Sequence, residues 1–170
     1  MKHNNLKIKK GLTLIELIIV IAIIGILTAL ILPNFMAGRI RARDAAKKTD
    51  MRSFKQALQL YYNDYQTYPE ANFAGFDILG CGANGVSQCN ANNGGSFETT
   101  STTYLKKFPQ GFRYYPDNAN DTYLIQITLE NASDEDMLTS RTKCATECTN
   151  TGSSCCNPTA GEAYYCVCPD

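Results

Sequence analysis

The pattern of hydrophobic and polar positions changes character twice along the chain. From Leu12 to Leu32, 21 residues run with only Thr13, Glu16 and Thr28 as polar interruptions. A helix of that length is about 30 Å long at 1.5 Å per residue, which matches the hydrocarbon thickness of a bilayer. Beyond Pro33 the period becomes that of a half-buried helix. Met51, Phe54, Leu58, Tyr61 and Tyr65 recur three and four residues apart and so share one face. That aromatic stripe reads as core rather than as a ligand site. Ile40 lies on the same stripe, but Asp44 and Lys47 interrupt it, so the lower part of this helix is expected to be poorly covered and open to other chains. Pro33 removes one backbone hydrogen bond and is expected to bend the helix, with Gly25 a second weak point.

The helical pattern stops at NDYQTYPE (63–70), where Pro69 biases Tyr68 away from helical geometry. The segment 71–110 is irregular: FAGFDIL predicts a short helix or turn packed by Phe73, Phe76 and Leu79, and CGANGVSQCNANNGGS reads as loop. Alternation of period two then appears. GFRYY predicts one strand and TYLIQITLE a second, with Tyr123, Ile125, Ile127 and Leu129 on one face and PDNAND (116–121) as the hairpin turn. The inner face of the second strand is expected on Phe54, Leu58 and Tyr61. A third strand is expected at AYYCVC. The fold class is therefore α+β: a long N-terminal helix, membrane-spanning in its first half, under a small antiparallel sheet with a disulfide-rich C-terminal region.

Charge sharpens this division. The 16 basic and 16 acidic residues balance, but four of the lysines (Lys2, Lys7, Lys9, Lys10) precede Gly11. Seven basic and three acidic residues fall between Asn34 and Tyr65, against five basic and twelve acidic from Gln66 onward. The picture is a basic stem under an acidic head. Such a head has little attraction for nucleic acid, because phosphate neutralisation dominates that binding. Any DNA contact would fall on Arg39, Arg41, Arg43, Lys47 and Lys48.

Eight cysteines, Cys81, Cys89, Cys144, Cys148, Cys155, Cys156, Cys166 and Cys168, all follow the apolar run. An even count in a small exported domain reads as a disulfide framework rather than a metal centre, since tidy C-x-x-C pairs are absent. Cys81 and Cys89 are expected to pair locally. The other six allow 15 connectivities, with the adjacent Cys155 and Cys156 taking different partners. The single histidine, His3, precedes Gly11. Catalysis that relies on a histidine base or ligand is thus excluded from the rest of the chain. No enzyme activity and no cofactor are expected. Ca²⁺ is the one ion left open, through the oxygen ligands of SDED (133–136) and of Asp117 and Asp121. Solvated loop acids are the simpler account of those residues.

Glu16 remains to be explained. A carboxylate at mid-membrane costs about 2.5–3.5 kcal/mol, so something must compensate for it. A cleaved signal peptide fits poorly, because the run is long and LILPN offers no small-x-small site. A plain anchor needs no Glu16. The stretch KKGLTLIELIIVIAIIGILTALILPNF strongly resembles the leader and first helix of type IV prepilins and type II secretion pseudopilins. The resemblance implies cleavage after Gly11 and N-methylation of Leu12, where the family usually has Phe. It also implies that Glu16 faces the terminal amine of a neighbouring subunit, and that the helix loosens between Gly25 and Pro33 in a filament. The implied organisation is a leader over 1–11, a transmembrane and assembly helix over 12–32, its amphipathic continuation over 33–66 and an exported head over 67–170. That head divides into a loop (71–110), a β-hairpin (111–130) and a Cys-rich tail (131–170). The implied partners are membrane lipid before assembly, a prepilin peptidase and methylase, a platform protein with its ATPase machinery, and further copies in a homo-oligomeric helical filament. The expected function is that of a type IV pilus subunit, with a type II secretion pseudopilin as the alternative and a membrane-anchored binding module as a remote one. The expected location is the cytoplasmic membrane with the leader inside and the head outside, then the cell surface.

Overall fold

The protein is described by a computed structural model covering residues 11–72, 78–91, 94–117, 119–153, 155 and 162–170, with the backbone alone for residues 32–34. Helix α1 (Leu14–Tyr65) is one continuous element of 52 residues. It stops where the backbone of Gln66 turns left-handed at φ +57°, while the Gln66 N–H still donates to the Tyr62 carbonyl at 2.7 Å. Short strands follow: β1 (Glu70–Ala71), β2 (Ile78–Cys81), β3 (Ser87–Gln88), β4 (Phe97–Glu98) and β5 (Thr103–Leu105). Next come β6 (Phe112–Pro116), β7 (Tyr123–Thr128), α2 (Glu135–Lys143), α3 (Ala145–Thr151) and β8 (Tyr164–Val167). Among the described residues they form three small antiparallel sheets, β1-β2-β3, β4-β5 and β6-β7-β8. The chain divides after Arg39 into two compact units, so the second begins inside α1 at Ile40.

In the second unit the helical stripe is the floor of the core. Met51, Phe54 and Leu58 have no exposed surface, and Tyr61 has 4%. Phe54 meets the rings of Phe112 at 5.0 Å and Phe108 at 5.4 Å, both edge to face, a favourable arrangement of ring quadrupoles. The ring contacts to Phe54 thus come from β6 and the segment before it, while Tyr123, Ile125 and Ile127 of β7 complete the same core. The expected hairpin forms, with Phe112 opposite Ile127 and Pro116 opposite Tyr123. Its turn is tied by the Asp117 carboxylate, which accepts the N–H groups of Asp121 and Thr122.

Strand β7 departs from simple alternation, because Leu124 and Gln126 on its other face are buried as well. A second cluster covers them, made of Leu124, Cys144, Cys148, Cys155, Cys166 and Cys168. The Gln126 side-chain oxygen is satisfied there by the Ser153 hydroxyl at 2.8 Å. The C-terminal region carries two helices that the sequence pattern did not announce. Asp134 caps α2 by accepting the Asp136 N–H, with Glu135 and Asp136 in the first turn and Arg141 and Lys143 in the last, an order that suits the helix dipole. CGANGVSQ, read as loop, instead supplies the end of β2 and the whole of β3. Leu79 lies in β2, whereas Phe73 and Phe76 of the expected turn fall outside the described residues.

Candidate assembly site

The polar residues at the start of α1 satisfy one another. Thr13 precedes the first helical residue, and its backbone N–H and hydroxyl donate to the Glu16 carboxylate at 2.8 and 2.9 Å. The Glu16 N–H points back to the Thr13 hydroxyl at 3.3 Å. This is a reciprocal capping box, threonine at the cap and glutamate three residues on, which satisfies two of the otherwise unpaired donors of a helix start. The spacing T-x-x-E is the signal that sequence reading passed over when it treated Glu16 alone. Thr28 likewise returns its hydroxyl proton to the Ile24 carbonyl at 2.8 Å. The remaining side chains of Leu14–Ile31 are apolar apart from the small Gly25 and Ala residues, and none of this segment is buried. It is long and apolar enough to cross a membrane. At Gly25 a Cβ would meet nothing within 4 Å, so no packing within the chain demands the glycine. Pro33 lies within the continuous helix, and Gly11 and Leu12 precede that helix in exposed chain without regular structure.

A second group of charges lies on α1 just below the aromatic core. Asp44 is 1% exposed, and its two carboxylate oxygens accept the N–H groups of Glu130 and Asn131 at 2.9 and 2.8 Å. Lys48, also buried, donates to both oxygens of Asp134 at 2.6 and 2.7 Å and to Asp136 at 2.8 Å. Arg43 holds Glu130 in a two-pronged pair, and Lys47 reaches the Thr128 carbonyl. The lower stem is thus gripped at Asp44 and Lys48, while Arg41, Ala42, Arg43, Ala45, Ala46, Thr49 and Asp50 stay exposed, so the expected opening holds for the rest of its surface. The same charged residues that break the apolar stripe are bound by the segment after β7. The Arg43 hydrogen bonds hold the Glu130 carboxyl below the ordinary range, and the Lys48 hydrogen bond does the same for Asp136. Burial pulls the Lys48 ammonium down, but its hydrogen bonds to Asp134 and Asp136 outweigh this and leave it above the ordinary lysine value. Higher on the stem, Asp170 bridges Lys143 and Lys55 at 2.8 and 2.7 Å, and these bonds lower its carboxyl to about 2.

These pairings correct two sequence readings. Arg43, Lys47 and Lys48 are committed to head carboxylates, so they are not a free basic face for DNA. The acids of SDED are not in a loop: Asp134 caps α2, Glu135 and Asp136 open it and stay exposed, and Asp134 and Asp136 converge on Lys48. Among the described residues no three carboxylate, cysteine or histidine side chains gather as a metal would require. Disulfides join Cys81 to Cys89, Cys144 to Cys168 and Cys155 to Cys166, with Cα separations of 5.3, 5.7 and 6.4 Å. Cys148 is also disulfide-bonded, and Cys156 lies outside the described residues.

Comparison with known proteins agrees with the N-terminal geometry. Residues 6–32 match the prokaryotic N-terminal methylation motif. The type IV major pilin PilA of Myxococcus xanthus is 40% identical over 68 residues, covering 39% of this chain and 31% of that protein. The type IV wide pilus major component PilA4 of Thermus thermophilus is 49% identical over 59 residues, 33% of this chain and 45% of its own. The type II secretion system core protein G of Escherichia coli is 36% identical over 64 residues, 38% of this chain and 44% of its own. The chain thus spans less than half the length of each of these relatives. No solved structure gives a significant match. The motif and the exposed apolar helix together fit a membrane-anchored form. Over part of its length the chain is thus similar to type IV major pilins and to type II secretion core protein G, and its N-terminus carries the methylation motif.

Proposed function

We propose that this protein is a structural, non-enzymatic subunit of a type IV pilus filament. It enters the membrane as a prepilin with its leader (1–11) in the cytoplasm and its head (67–170) outside. Cleavage after Gly11 and methylation of Leu12 follow, and the subunit then polymerises into a surface filament through residues 12–32, with 33–66 linking that segment to the head. The observation that carries this reading is the capping box of Thr13 and Glu16 at the head of an apolar helix with no buried side chain. A carboxylate in hydrocarbon needs a cation as well as hydrogen-bond donors, and the amine freed by cleavage of a neighbouring subunit is a cation at the same depth. Gly25 and Pro33 are the positions at which the packed helix would loosen. A peptidase and methylase, a platform protein and an ATPase are the partners such a route requires.

Intact mass of the protein purified from its host tests the processing step, with loss of residues 1–11 and gain of one methyl as the expected result. A chain that still begins at Met1 in a host with the peptidase would refute it. Glu16→Gln keeps an acceptor for Thr13 but removes the charge. Filaments of this variant at wild-type yield by electron microscopy would rule out the pairing of Glu16 with an amine.

The pseudopilin reading is supported by core protein G relatives that match over lengths similar to those of the pilin relatives. Deletion of the gene separates the two. Loss of surface filaments with normal protein secretion favours the pilus, and periplasmic retention of secreted proteins favours the pseudopilin.

A further inference from the structure

We propose that the segment 130–136, just after the core residue Leu129, is an ionic clasp that opens independently of the aromatic core and releases α1 between Ile40 and Asp50, while the head above Met51 stays folded. The inference holds for a pilus subunit and a pseudopilin alike. It rests on a difference in what binds two successive stretches of one helix. From Met51 to Tyr61 the stem is held by apolar and aromatic burial. From Arg43 to Lys48 it is held by charge: Arg43 and Lys47 on Glu130, Asp44 on two backbone N–H groups, Lys48 on Asp134 and Asp136. Ala45 and Ala46 between them are exposed, so little apolar contact reinforces the grip there.

The two kinds of contact respond differently to conditions. Burying Asp44 and Lys48 takes back much of what their pairing contributes, so the closed clasp is only modestly favoured over the open one. Its outer members are wet: the side chains of Arg43, Glu130 and Asp136 are 51%, 37% and 64% exposed. A surface cleft of about 530 Å³, lined by Arg41, Lys48, Arg52, Asn131 and Asp136 among others, brings solvent to the Lys48 end. Added salt screens exposed pairs and leaves apolar burial intact or strengthened. The Tyr165 ring has its centroid 5.6 Å from the Lys48 ammonium, and β8, which carries it, pairs with β7.

Opening would have a defined structural result. The Glu130 and Asn131 amides lose their Asp44 acceptors, and about three turns of helix come free between Ile40 and Asp50 at 3.6 residues per turn. The stem would gain compliance at the point where it leaves the head, with no loss of core contacts.

Hydrogen exchange measured by mass spectrometry on the full chain in detergent micelles tests this. In 1 M salt relative to 0.1 M, peptides covering residues 40–50 and 130–136 are expected to exchange about tenfold faster, with peptides covering 51–61 and 112–116 unchanged. Asp44→Asn is expected to reproduce the effect at low salt by weakening both amide bonds. Lys48→Met, which fills similar space, tests the other end of the clasp in the same way. Uniform acceleration across both groups of peptides would show that the stretch opens only with the core. No change in salt or in both variants would show that charge does not hold it. Either result overturns the proposal.

Discussion

Two stretches of the same helix obey opposite rules. Between Leu14 and Ile31 every side chain is exposed, with Ile24 at 56% and Leu30 at 68%. Between Met51 and Leu58 the large apolar side chains have no exposed surface. Both are rich in good hydrophobes, so hydrophobicity alone does not say where a residue ends up. Period does. The upper stretch alternates apolar and polar residues at helical spacing and matches one face to one head. The lower stretch is apolar all round and has no polar face to give to water, which suits lipid or the flanks of other helices. One helix is thus written for two environments, and the change falls within a few turns.

The largest test of that contrast is truncation on either side of it. Phe54→Ala should cost about 3–5 kcal/mol of head stability, because it removes a ring packed against Phe108 and Phe112 and leaves a cavity. Ile21→Ala should leave the melting of the head unchanged. Chemical denaturation of both variants in micelles, followed by near-ultraviolet circular dichroism of the tyrosines, reads the difference. Equal losses would erase the distinction between the two stretches.

Acid should act next, and on the charged stretch between them. The carboxyls of Glu130, Asp136 and Asp170 sit below their ordinary range in the folded protein, so the unfolded chain takes up protons first. Their contribution is complete above the ordinary carboxylate values of about 4 and fades as pH falls through the folded ones, reaching about 2 for Asp170. Lys48 and Lys143 are raised, so their contribution is intact below the usual lysine value and lost in strong base. Denaturation midpoints should therefore hold level from pH 9 to about pH 5 and drop below it. A variant with Glu130→Gln, Asp136→Asn and Asp170→Asn should drop less. An unaltered acid limb in the triple variant would show that these pairs carry no stability.

The smallest effect is expected inside the core. Tyr123 is fully buried, and its hydroxyl is the one buried side-chain polar atom without a partner among the described residues. Burial also pushes its phenol far above the usual value. Tyr123→Phe removes a group that is desolvated and unpaired, so stability should hold or rise by up to about 1 kcal/mol. A clear loss would mean that the hydroxyl is satisfied after all.

Legibility in the sequence followed the range of the interactions. The stripe Met51–Phe54–Leu58–Tyr61, the hairpin of FRYYP and YLIQIT, and the strand at YYCV were all readable, because periodicity is a local signal. The helices α2 and α3 were hidden by threonine and cysteine, poor helix formers, although Asp134 and the acidic-to-basic order of EDMLTSRTK marked the first of them. Gly80 looked like loop, yet a Cβ there would press on Phe97 and Pro69 at 3.0 and 3.1 Å, so the glycine permits close packing of a strand. At the N-terminus, Glu16 was found from its cost and Thr13 was missed, although their reciprocal bonds are three residues apart. Asp44 was seen only as a break in the stripe. Its acceptors' donors lie 86 and 87 residues away, and no pattern along the chain announces them.

Strand β7 has a consequence for the order in which the head is built. Its hairpin partner is close in sequence, with Pro116 opposite Tyr123 at a separation of seven, whereas its other partner pairs Ile125 with Val167 at forty-two. Loop closure grows with the logarithm of length, so the second pairing costs roughly 1.5 kcal/mol more in chain entropy before any contact forms. Hairpin first and β8 last is the cheaper sequence of events. The bonds Cys144–Cys168 and Cys155–Cys166 span 24 and 11 residues and both end on or beside β8. Once closed, they turn the return of that strand from a long-range search into a local one, so the tail that looks like an appendage acts as the tether for the last strand to arrive.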